Sequence, residues 1–470
     1  MAKKKIAIIG AGVAGTSLVK FFVNDSRFDE HYELDLYDGK RTMGRGYAYQ
    51  SDDEDLIVNL PAELMSLTSD QDDYINWLKD NDHKVQSYTS RSLYGQYIHS
   101  TLMNFVHEHK NINLVEHLVD DLVYDDKEEK YVVYTDGEYL TYDAVFLTNG
   151  EMSYSDPYDL KGEEKYIYDP YPIEENLNDL DGEIGIIGSG LSAIDCIRYL
   201  LKQGHSKISV LSRSGELPSV RGTYYDMSGK HFTVDKVFTY EKEGLIPLDR
   251  VVELFKKELQ LHDIDPKLLD RKVDRPEIDL KYDLEHPDEV GKIQYLITSL
   301  EDTFKDIYKY LSRADKKRFL DDYHDLIQGN HSPMPVHGAK QILEWIDQGS
   351  LEFLDGMESV EVNEGFKVTF DDGKETHFDV LINATGPVSD VRQDDTLLIK
   401  NMYNRLLIEA DEFGGVLIDK HHRIISPRFG TLNNFYTIGA LTFGSDYLIK
   451  GVTMLAKETE DLVEHYLNHN

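Results

Sequence analysis

The sequence has a single cysteine, Cys196, among 470 residues. No apolar run approaches the roughly 18 residues needed to cross a membrane. One thiol can form neither a structural disulfide nor a dithiol couple that passes electrons by disulfide exchange. The lysines near the start of the chain lead straight into an apolar stretch too short for a secretory signal. These absences predict a cytoplasmic protein without a membrane partner.

Positive charge is also scarce. Lysine and arginine total 50 against 87 aspartates and glutamates, which gives a formal net charge of -37 at neutral pH. A field of this sign repels nucleic acids and anionic lipid surfaces. We therefore expect no nucleic-acid partner, whereas the charge says little about the substrate.

Histidines occur in close pairs, but no pair has a third residue of suitable type nearby in the sequence. We therefore expect no metal site. The pairs are His107 with His109, His421 with His422, and His465 with His469.

Glycine-rich turns are the strongest positive signal. At Ile6–Gly15 (IAIIGAGVAG) and again at Ile184–Ala193 (IGIIGSGLSA), a strand-like apolar run enters such a turn and a helical pattern follows. This order of strand, glycine turn and helix is the pattern that binds the pyrophosphate of a dinucleotide. The duplication predicts that one chain binds two dinucleotides.

The first turn assigns a task to each glycine. Gly10 would need a positive φ, Gly12 would let the backbone approach a pyrophosphate, and Gly15 would let the helix lie close to the sheet. The free N–H groups of Val13 and Ala14 at the helix start would then face the phosphates. In the second turn the same tasks fall to Gly188, Gly190, Leu191 and Ser192.

The residue that ends the second strand of each unit indicates which nucleotide binds. Asp38 stands 23 positions after Gly15, where a carboxylate can accept hydrogen bonds from both hydroxyls of an unphosphorylated ribose. In the second unit that place holds Ser212 and Arg213. A hydroxyl and a guanidinium suit a 2′-phosphate, so NADPH is favoured over NADH, although Arg213 could also be a solvated side chain at a strand end.

A second internal repeat joins the two units. Residues 130–150 and 366–386 share an alternating strand, an Asp-Gly turn, a second strand and a buried apolar strand, and the equivalent positions are 236 residues apart. The glycine turns are only 178 residues apart, so the second unit contains 58 additional residues. We place them in a helical insertion at about 222–345, with helices around 248–261, 289–311 and 314–327 and a charged, proline-bearing linker at 262–287. The insertion could be a lid, a substrate-binding subdomain, a surface insertion or a homodimer contact.

These features resemble the two-dinucleotide-binding-domain flavoproteins, which include glutathione-reductase-like enzymes and NADPH-dependent flavin monooxygenases. Five segments narrow the resemblance to a bacterial family of FAD/NAD(P)-binding oxidoreductases. They are Met43–Tyr49 (MGRGYAY), Leu56–Met65 (LIVNLPAELM), Arg91–Tyr97 (RSLYGQY), Gly188–Asp195 (GSGLSAID) and Ser212–Pro218 (SRSGELP).

The resemblance implies that the first unit binds FAD and the second binds NADPH. It places the FAD pyrophosphate and ribose at the first turn and Asp38. It places the segment around the flavin ring at Gly44, Arg45, Gly46, Tyr47 and Asn59, with Arg91 and Tyr94 as weaker candidates, and extends the cofactor site to Gly150, Gly439 and Gly451.

The resemblance also implies that the C-terminal helix, beginning near Val452, points its N-terminus at the flavin ring. Its partial positive charge would stabilise an anionic reduced flavin. Many relatives have an aspartate after the glycine at Gly439, whereas here Ala440 follows. Only backbone contacts with the ribityl chain are expected at that point.

The fold class expected from these features is α/β, with two Rossmann-like dinucleotide-binding domains. Residues 1–155 and 387–470 would form the FAD domain and residues 156–386 the NAD(P) domain. The lone cysteine, expected in the core, excludes the dithiol reductases of this fold.

The leading interpretation of function is an FAD- and NADPH-dependent monooxygenase acting on a small molecule. One monooxygenase fingerprint, Phe-x-Gly-x-x-x-His, is missing from residues 160–173. A flavin-dependent reductase or dehydrogenase and a non-catalytic redox sensor remain alternatives. The sequence identifies no catalytic side chain.

Overall fold

The computed structural model describes residues 3–67, 72–213, 215–269, 275–447 and 451–470. Within these ranges no helix is both long enough and apolar enough to span a membrane. The strands are β1 (Lys4–Ile9), β2 (Tyr32–Tyr37), β3 (Ile112–Val115), β4 (Asp121–Asp125), β5 (Lys130–Thr135), β6 (Glu138–Tyr142), β7 (Ala144–Leu147), β8 (Tyr166–Ile167), β9 (Ile184–Ile187), β10 (Ile208–Leu211), β11 (Leu351–Leu354), β12 (Met357–Asn363), β13 (Gly365–Phe370), β14 (Glu375–Phe378), β15 (Val380–Asn383), β16 (Arg423–Ser426) and β17 (Gly430–Thr437).

Helices connect and cover these strands. They are α1 (Val13–Val23), α2 (Phe28–His31), α3 (Asp73–Asp80), α4 (Arg91–Glu108), α5 (Ile173–Asn176), α6 (Leu191–Lys202), α7 (Val234–Phe238), α8 (Leu248–Leu261), α9 (Pro276–Glu285), α10 (Pro287–Tyr308), α11 (Arg313–Asp322), α12 (His324–His331), α13 (Val336–Asp347), α14 (Leu397–Asn404) and α15 (Val452–His469).

The chain forms two compact units, and the first combines Met1–Ser153 with Pro387–Asn470. Its main sheet has the order β3-β2-β1-β7-β17-β16 and is parallel except for the edge strand β16. The central strands β1 and β7 are largely buried and apolar, as a sheet covered on both faces requires. Because the strands are parallel, their carboxyl ends share one edge, and β1 enters the first glycine turn there.

The second unit, Tyr154–Gly386, repeats this plan. Its sheet has the order β11-β10-β9-β15-β8 and is parallel throughout. Strand β8 lies beside β15, as β17 lies beside β7 in the first unit. The fold class expected from the sequence, two Rossmann-like units in one α/β chain, is confirmed.

Each unit also carries a three-stranded antiparallel sheet, β4-β5-β6 in the first and β12-β13-β14 in the second. Asp136 and Gly137 have φ values of 46° and 77° between β5 and β6, so the Asp-Gly pair turns the hairpin with both residues left-handed. In each unit the next strand returns to the main sheet beside the strand of the glycine turn. The internal repeat is therefore a structural repeat.

Helices α7–α12 form the insertion between β10 and β11. The predicted helix at 248–261 is observed as α8, and the one at 289–311 is observed as α10 with slightly shifted ends. The helix expected at 314–327 is wrong as a single element, because Tyr323 leaves helical geometry, with φ -129° and ψ -18°, and separates α11 from α12.

The proline-bearing segment 262–287, expected as a linker, contains helix α9. Pro276 stands at the first helical position, where its fixed φ favours a helix start, and Leu280 is buried. Residues 270–274 of that segment lie outside the described ranges.

Buried polar side chains attach the insertion to the segment that follows β10. Asp283 accepts a hydrogen bond from Val220 N at 2.8 Å, and Gln294 accepts one from Gly222 N at 2.9 Å. The fully buried carboxylate of Glu258 accepts from the N–H of Phe232 at 2.7 Å. A buried carboxylate needs such donors, so these contacts fix the path of the chain.

Candidate dinucleotide sites

The first glycine turn allows three backbone segments to approach closely. Gly10 has φ 104°, and a Cβ at this position would lie 2.1 Å from the carbonyl oxygen of Thr148. A Cβ at Gly15 would lie 2.1 Å from the carbonyl oxygen of Gly10. Neither position has room for a side chain, so glycine is required for β1, α1 and the end of β7 to meet.

Helix α1 begins here without a side-chain cap. Gly12 is the N-cap residue, and the N–H of Thr16 makes a hydrogen bond to its carbonyl at 2.9 Å. The earlier N–H groups, of Val13 and Ala14, have no partner within the helix. These donors and the helix dipole together suit a phosphate.

Asp38 follows β2 and reaches into the turn. Its Oδ2 accepts the N–H of Ala11 at 2.7 Å, and its Oδ1 accepts the N–H of Gly39 at 2.7 Å and the hydroxyl of Thr42. Burial raises the pKa of Asp38, and these hydrogen bonds oppose the rise. A carboxylate has about four acceptor positions. Oδ2 therefore keeps room for a ribose hydroxyl.

The segment expected near the flavin ring crosses the same turn. A Cβ at Gly12 would lie 3.0 Å from the Cα of Gly46, which has φ 75°. Gly44 also has a positive φ, of 69°. Arg45 lies between them and forms no ion pair with any residue that the structure describes, while the side chain of Tyr47 is 39% exposed.

Helix α4 supports this segment from behind. A Cβ at Gly95 would lie 1.9 Å from the carbonyl oxygen of Tyr49, and His99 Nδ1 lies 3.1 Å from the carbonyl oxygen of Met43. Of the weaker candidates, Arg91 makes a hydrogen bond from Nε to the carbonyl oxygen of Ile57 at 3.2 Å. Tyr94 is fully buried, and its hydroxyl donates to Met65, so it serves the core.

The C-terminal helix starts on the same side of the first unit as α1. Val13, Val58 and Val452 belong to one buried cluster, which joins the first turn of α1, the segment of Asn59 and the first turn of α15. Gly451 is the N-cap of α15, and Gly439 after β17 has φ 96°. Residues 448–450 lie outside the described ranges.

The end of β7 contains a residue that the sequence analysis missed. Gly150, which the resemblance places in the cofactor site, has φ 76°, and a Cβ there would meet nothing within 4 Å. Its neighbour Asn149 has a buried Oδ1 that accepts no hydrogen bond from any described residue. The only sequence signal was a small one, namely that the first copy of the repeat ends in Thr-Asn-Gly and the second in Ala-Thr-Gly.

The second glycine turn repeats the geometry with less crowding. Gly188 has φ 107°, and a Cβ there would lie 2.7 Å from the carbonyl oxygen of Ala384. Gly190 is the N-cap of α6, and a Cβ there would meet nothing within 4 Å. The N–H groups of Leu191 and Ser192 begin the helix. Cys196, further along α6, is fully buried in the core.

The side chain of Ser192 already has a partner in the second unit. It makes a hydrogen bond with Tyr154. Burial raises the pKa of the Tyr154 phenol, and this hydrogen bond opposes the rise. The predicted role of Ser192 in phosphate binding would therefore use its backbone N–H.

The segment after β10 contains Arg213, a cation that could bind an anionic group. Ser212 Oγ accepts the N–H of Gly215 at 2.8 Å, so this hydroxyl organises the turn. Arg213 lies close enough to Tyr158 to oppose the burial that raises the pKa of that phenol. The Arg213 guanidinium makes no ion pair with a described residue, and residue 214 lies outside those ranges.

No group of three or more histidine, cysteine, aspartate or glutamate side chains in the described part of the chain could hold a metal ion. The two glycine turns are the features of the chain that fit a dinucleotide. In the first, the side-chain-free surface of Gly10, Gly12 and Gly15, the open helix start and the spare acceptor of Asp38 fit the pyrophosphate and ribose of FAD.

Comparison with known proteins agrees with this fit. Residues 7–152 match a family model described as FAD-NAD(P)-binding. No curated protein sequence matches the chain.

Solved structures extend the similarity to the whole chain. The ornithine hydroxylase of Pseudomonas aeruginosa has a TM-score of 0.64 at 15% identity, covering 100% of both chains. The ornithine N-hydroxylase of Kutzneria sp. 744, solved with reduced FAD, NADP+ and L-ornithine, has a TM-score of 0.59 at 13% identity, again with 100% coverage of both chains. A cyclohexanone monooxygenase has a TM-score of 0.56 at 14% identity over 100% of this chain and 89% of its own.

At these identities the structures establish the fold, which matches the expectation drawn from the sequence segments. The family model matches residues 7–152, which lie within the first unit. The chain therefore has the two-dinucleotide-binding-domain flavoprotein fold, and its residues 7–152 carry the FAD/NAD(P)-binding domain of that fold.

Proposed function

We propose that this protein is an FAD-dependent monooxygenase that uses NADPH and oxygenates a small molecule in the cytoplasm. One observation carries the proposal. The chain has a single cysteine and two glycine turns, and the strand that follows each turn ends in different residues. Residues 1–155 and 387–470 would bind FAD, and residues 156–386 would bind NADPH.

The fold similarities support the same reaction class. The neighbours named above hydroxylate ornithine or oxygenate cyclohexanone, according to their names. Bound FAD would accept a hydride from NADPH, and the reduced flavin would react with O2. One oxygen atom would then enter the substrate and the other would leave as water. Small amines and ketones are therefore the first substrates to test.

The chain's own residues would bind and orient the cofactors. Asp38 would hold a ribose, and the N-termini of α1 and α15 would face the pyrophosphate and the flavin ring. The short segment from Gly44 to Tyr47, held by α4, would cover the cofactor. The partial positive charge at the start of α15 would stabilise negative charge on a reduced ring.

In the second unit, Arg213 would select the phosphorylated coenzyme. A guanidinium that makes no ion pair with the described residues can receive a 2′-phosphate without breaking such a contact. A carboxylate at this position would repel the same phosphate. NADPH should therefore reduce the protein faster than NADH.

A flavin-dependent reductase that passes electrons to a small acceptor is the second candidate. It is favoured by residues 160–173, which lack the monooxygenase fingerprint. Leu160 and Tyr166 of that segment are buried in the core of the second unit, and Tyr166 begins edge strand β8. The segment therefore has a structural task.

One experiment separates the candidates. FAD-loaded protein is reduced anaerobically with one equivalent of NADPH and mixed with oxygenated buffer, with and without candidate amines and ketones, and both hydrogen peroxide and oxygenated product are measured. A monooxygenase should yield product and suppress peroxide with its substrate. Peroxide in full yield with every candidate, together with fast turnover of an artificial electron acceptor, would favour the reductase.

A further inference from the structure

The strongest unexplained feature of the first unit is the amide of Asn149. Its Oδ1 is buried and has no hydrogen-bond donor among the described residues. A buried acceptor without a partner destabilises the folded state, and native proteins rarely keep one without a purpose. The amide oxygen therefore needs a donor.

The internal repeat provides a matched comparison. The position equivalent to Asn149 in the second unit is Thr385, and its hydroxyl donates to Asn383 Oδ1 at 2.7 Å and contacts Ser155 Oγ at 2.6 Å. The position equivalent to Asn383 in the first unit is Leu147, which offers no polar side chain. In the first unit, therefore, the polar side chain of Asn149 has no neighbour equivalent to Asn383, which binds Thr385 in the second unit.

The location of Asn149 points to the cofactor. A Cβ built on Gly10 would lie 2.8 Å from the Cα of Asn149, so the residue adjoins the first glycine turn. The neighbouring hydroxyl of Thr148 already donates to the carbonyl oxygen of Gly10 at 2.6 Å. Thr148 cannot use the same proton for Asn149, and the missing donor must come from outside the described side chains.

We propose that the amide oxygen of Asn149 accepts a hydrogen bond from a sugar hydroxyl of FAD, and that this residue distinguishes the FAD turn from the NADPH turn. The inference rests on the proposed function, because it requires FAD in the first unit. The phosphates of FAD carry no proton to donate at neutral pH, whereas the adenosine ribose and the ribityl chain both carry hydroxyl donors. Either hydroxyl source has the chemistry that the amide oxygen requires.

The test measures FAD affinity and apo-protein stability in the same variants. Asn149→Leu removes the acceptor at similar volume, and Asn149→Ala provides a second variant in case leucine does not fit. Thr385→Val is the matched control in the second unit. The dissociation constant of FAD is measured by quenching of flavin fluorescence, and apo stability by thermal unfolding.

We expect Asn149→Leu to weaken FAD binding about tenfold, the loss of one hydrogen bond, while the apo protein keeps or gains stability. The gain would arise because the substitution removes an unpaired buried acceptor. Thr385→Val should leave FAD affinity unchanged. A purely structural role predicts a different pattern, in which apo stability falls.

Two simpler ligands identify the hydroxyl. If the adenosine ribose donates, Asn149→Leu should weaken the binding of ADP and leave that of FMN unchanged. If the ribityl chain donates, the effect should appear with FMN and not with ADP.

Wild-type affinity for FAD in both Asn149 variants would overturn the proposal, as would a loss of FAD binding that is matched by loss of apo stability. Failure of the wild-type protein to bind FAD would instead contradict the proposed function itself. The two failures are therefore distinguishable.

Discussion

The two glycine turns share one backbone plan and differ in what surrounds it. In the first unit, Gly46 crosses Gly12 closely enough that a Cβ would lie 3.0 Å from its Cα, and Asp38 reaches the turn. In the second unit, Gly190 has open space, and Arg213 lies after the equivalent strand. On the proposed function, the neighbouring segments would decide which dinucleotide each turn binds and how easily that dinucleotide leaves.

The two turns also differ in crowding at the third position of the motif. Gly15 has no room for a side chain, whereas the second turn carries Ala193, fully buried, at the equivalent place. The first turn is the tighter of the two, because a Cβ at its leading glycine would lie 2.1 Å from the facing carbonyl oxygen, compared with 2.7 Å in the second. A covered, tight turn suits a retained cofactor and an open one suits a coenzyme that exchanges at each turnover.

The largest effect should come from Gly15→Ala. The new methyl group would lie 2.1 Å from the carbonyl oxygen of Gly10, so α1 must shift away from β1. We expect loss of FAD binding and a destabilisation of about 1–3 kcal/mol, the usual cost of overpacking. Thermal unfolding and flavin fluorescence would measure both.

The control for that variant is Ala193→Gly, which adds no atoms and should cost only about 1 kcal/mol of helix propensity without affecting FAD. If Gly15→Ala kept full FAD affinity and stability, the two turns would be equally tolerant and the comparison would fail.

Arg213→Ala should have the next largest effect. Loss of a guanidinium–phosphate contact costs about 1.5–3 kcal/mol, so the KM for NADPH should rise roughly 10- to 100-fold while that for NADH changes little. Steady-state kinetics with both coenzymes would measure the ratio. Retention of the NADPH preference would remove Arg213 from the coenzyme site.

Asp38→Asn should weaken FAD binding about tenfold, because an amide is a poorer acceptor for two ribose hydroxyls than a carboxylate. The wild-type affinity should also fall as the pH is lowered through the raised pKa of Asp38, since the hydroxyls donate to the ionised form. The variant should lack this pH dependence. Parallel FAD titrations across acidic pH would measure it, and identical profiles would argue against the ribose assignment.

The same raised pKa affects the apo protein in the opposite direction. The folded state binds a proton at Asp38 more readily than the unfolded chain, so this contribution to stability is complete below the ordinary pKa of aspartate and lost as the pH rises through the raised value. Asp38→Asn should remove that loss, which urea unfolding of the apo protein across the same pH window would detect.

The smallest effect should distinguish Gly12→Ala from Gly190→Ala. The first would press a methyl group against Gly46 and should lower both stability, by about 1 kcal/mol, and FAD affinity. The second has space and a φ of -78°, so apo stability should be unchanged and only the KM for NADPH should rise. Equal losses of stability in the two variants would show that the turns do not differ in crowding.

The sequence was sufficient for features that depend on backbone geometry. The turns at positions 10 and 188 have a positive φ, which requires glycine, and the Asp-Gly pairs predict hairpins, so both units could be derived from local chemistry. The C-terminal helix was also expected at its observed start, Val452. These features follow from the residues within a short stretch of chain.

Features that depend on distant partners could not be derived in this way. Asn149 is unusual for two reasons. Leu147 stands at the position where the second unit has Asn383, and the Oδ1 of Asn149 is buried. Tyr94 serves the core through a hydrogen bond to Met65, which sequence spacing does not reveal. Helix α9 was not predicted because charged residues and prolines are also typical of linkers, whereas Pro276 stands at the start of a helix.

The most direct test of the account is anaerobic reduction of the FAD-loaded protein, followed by the visible flavin absorbance in a stopped-flow instrument. We expect NADPH to bleach the flavin band and NADH to do so much more slowly, because on the proposed function the first turn would hold FAD and the second would select the 2′-phosphate. A protein that binds FAD and keeps an unchanged flavin band with both coenzymes would contradict it.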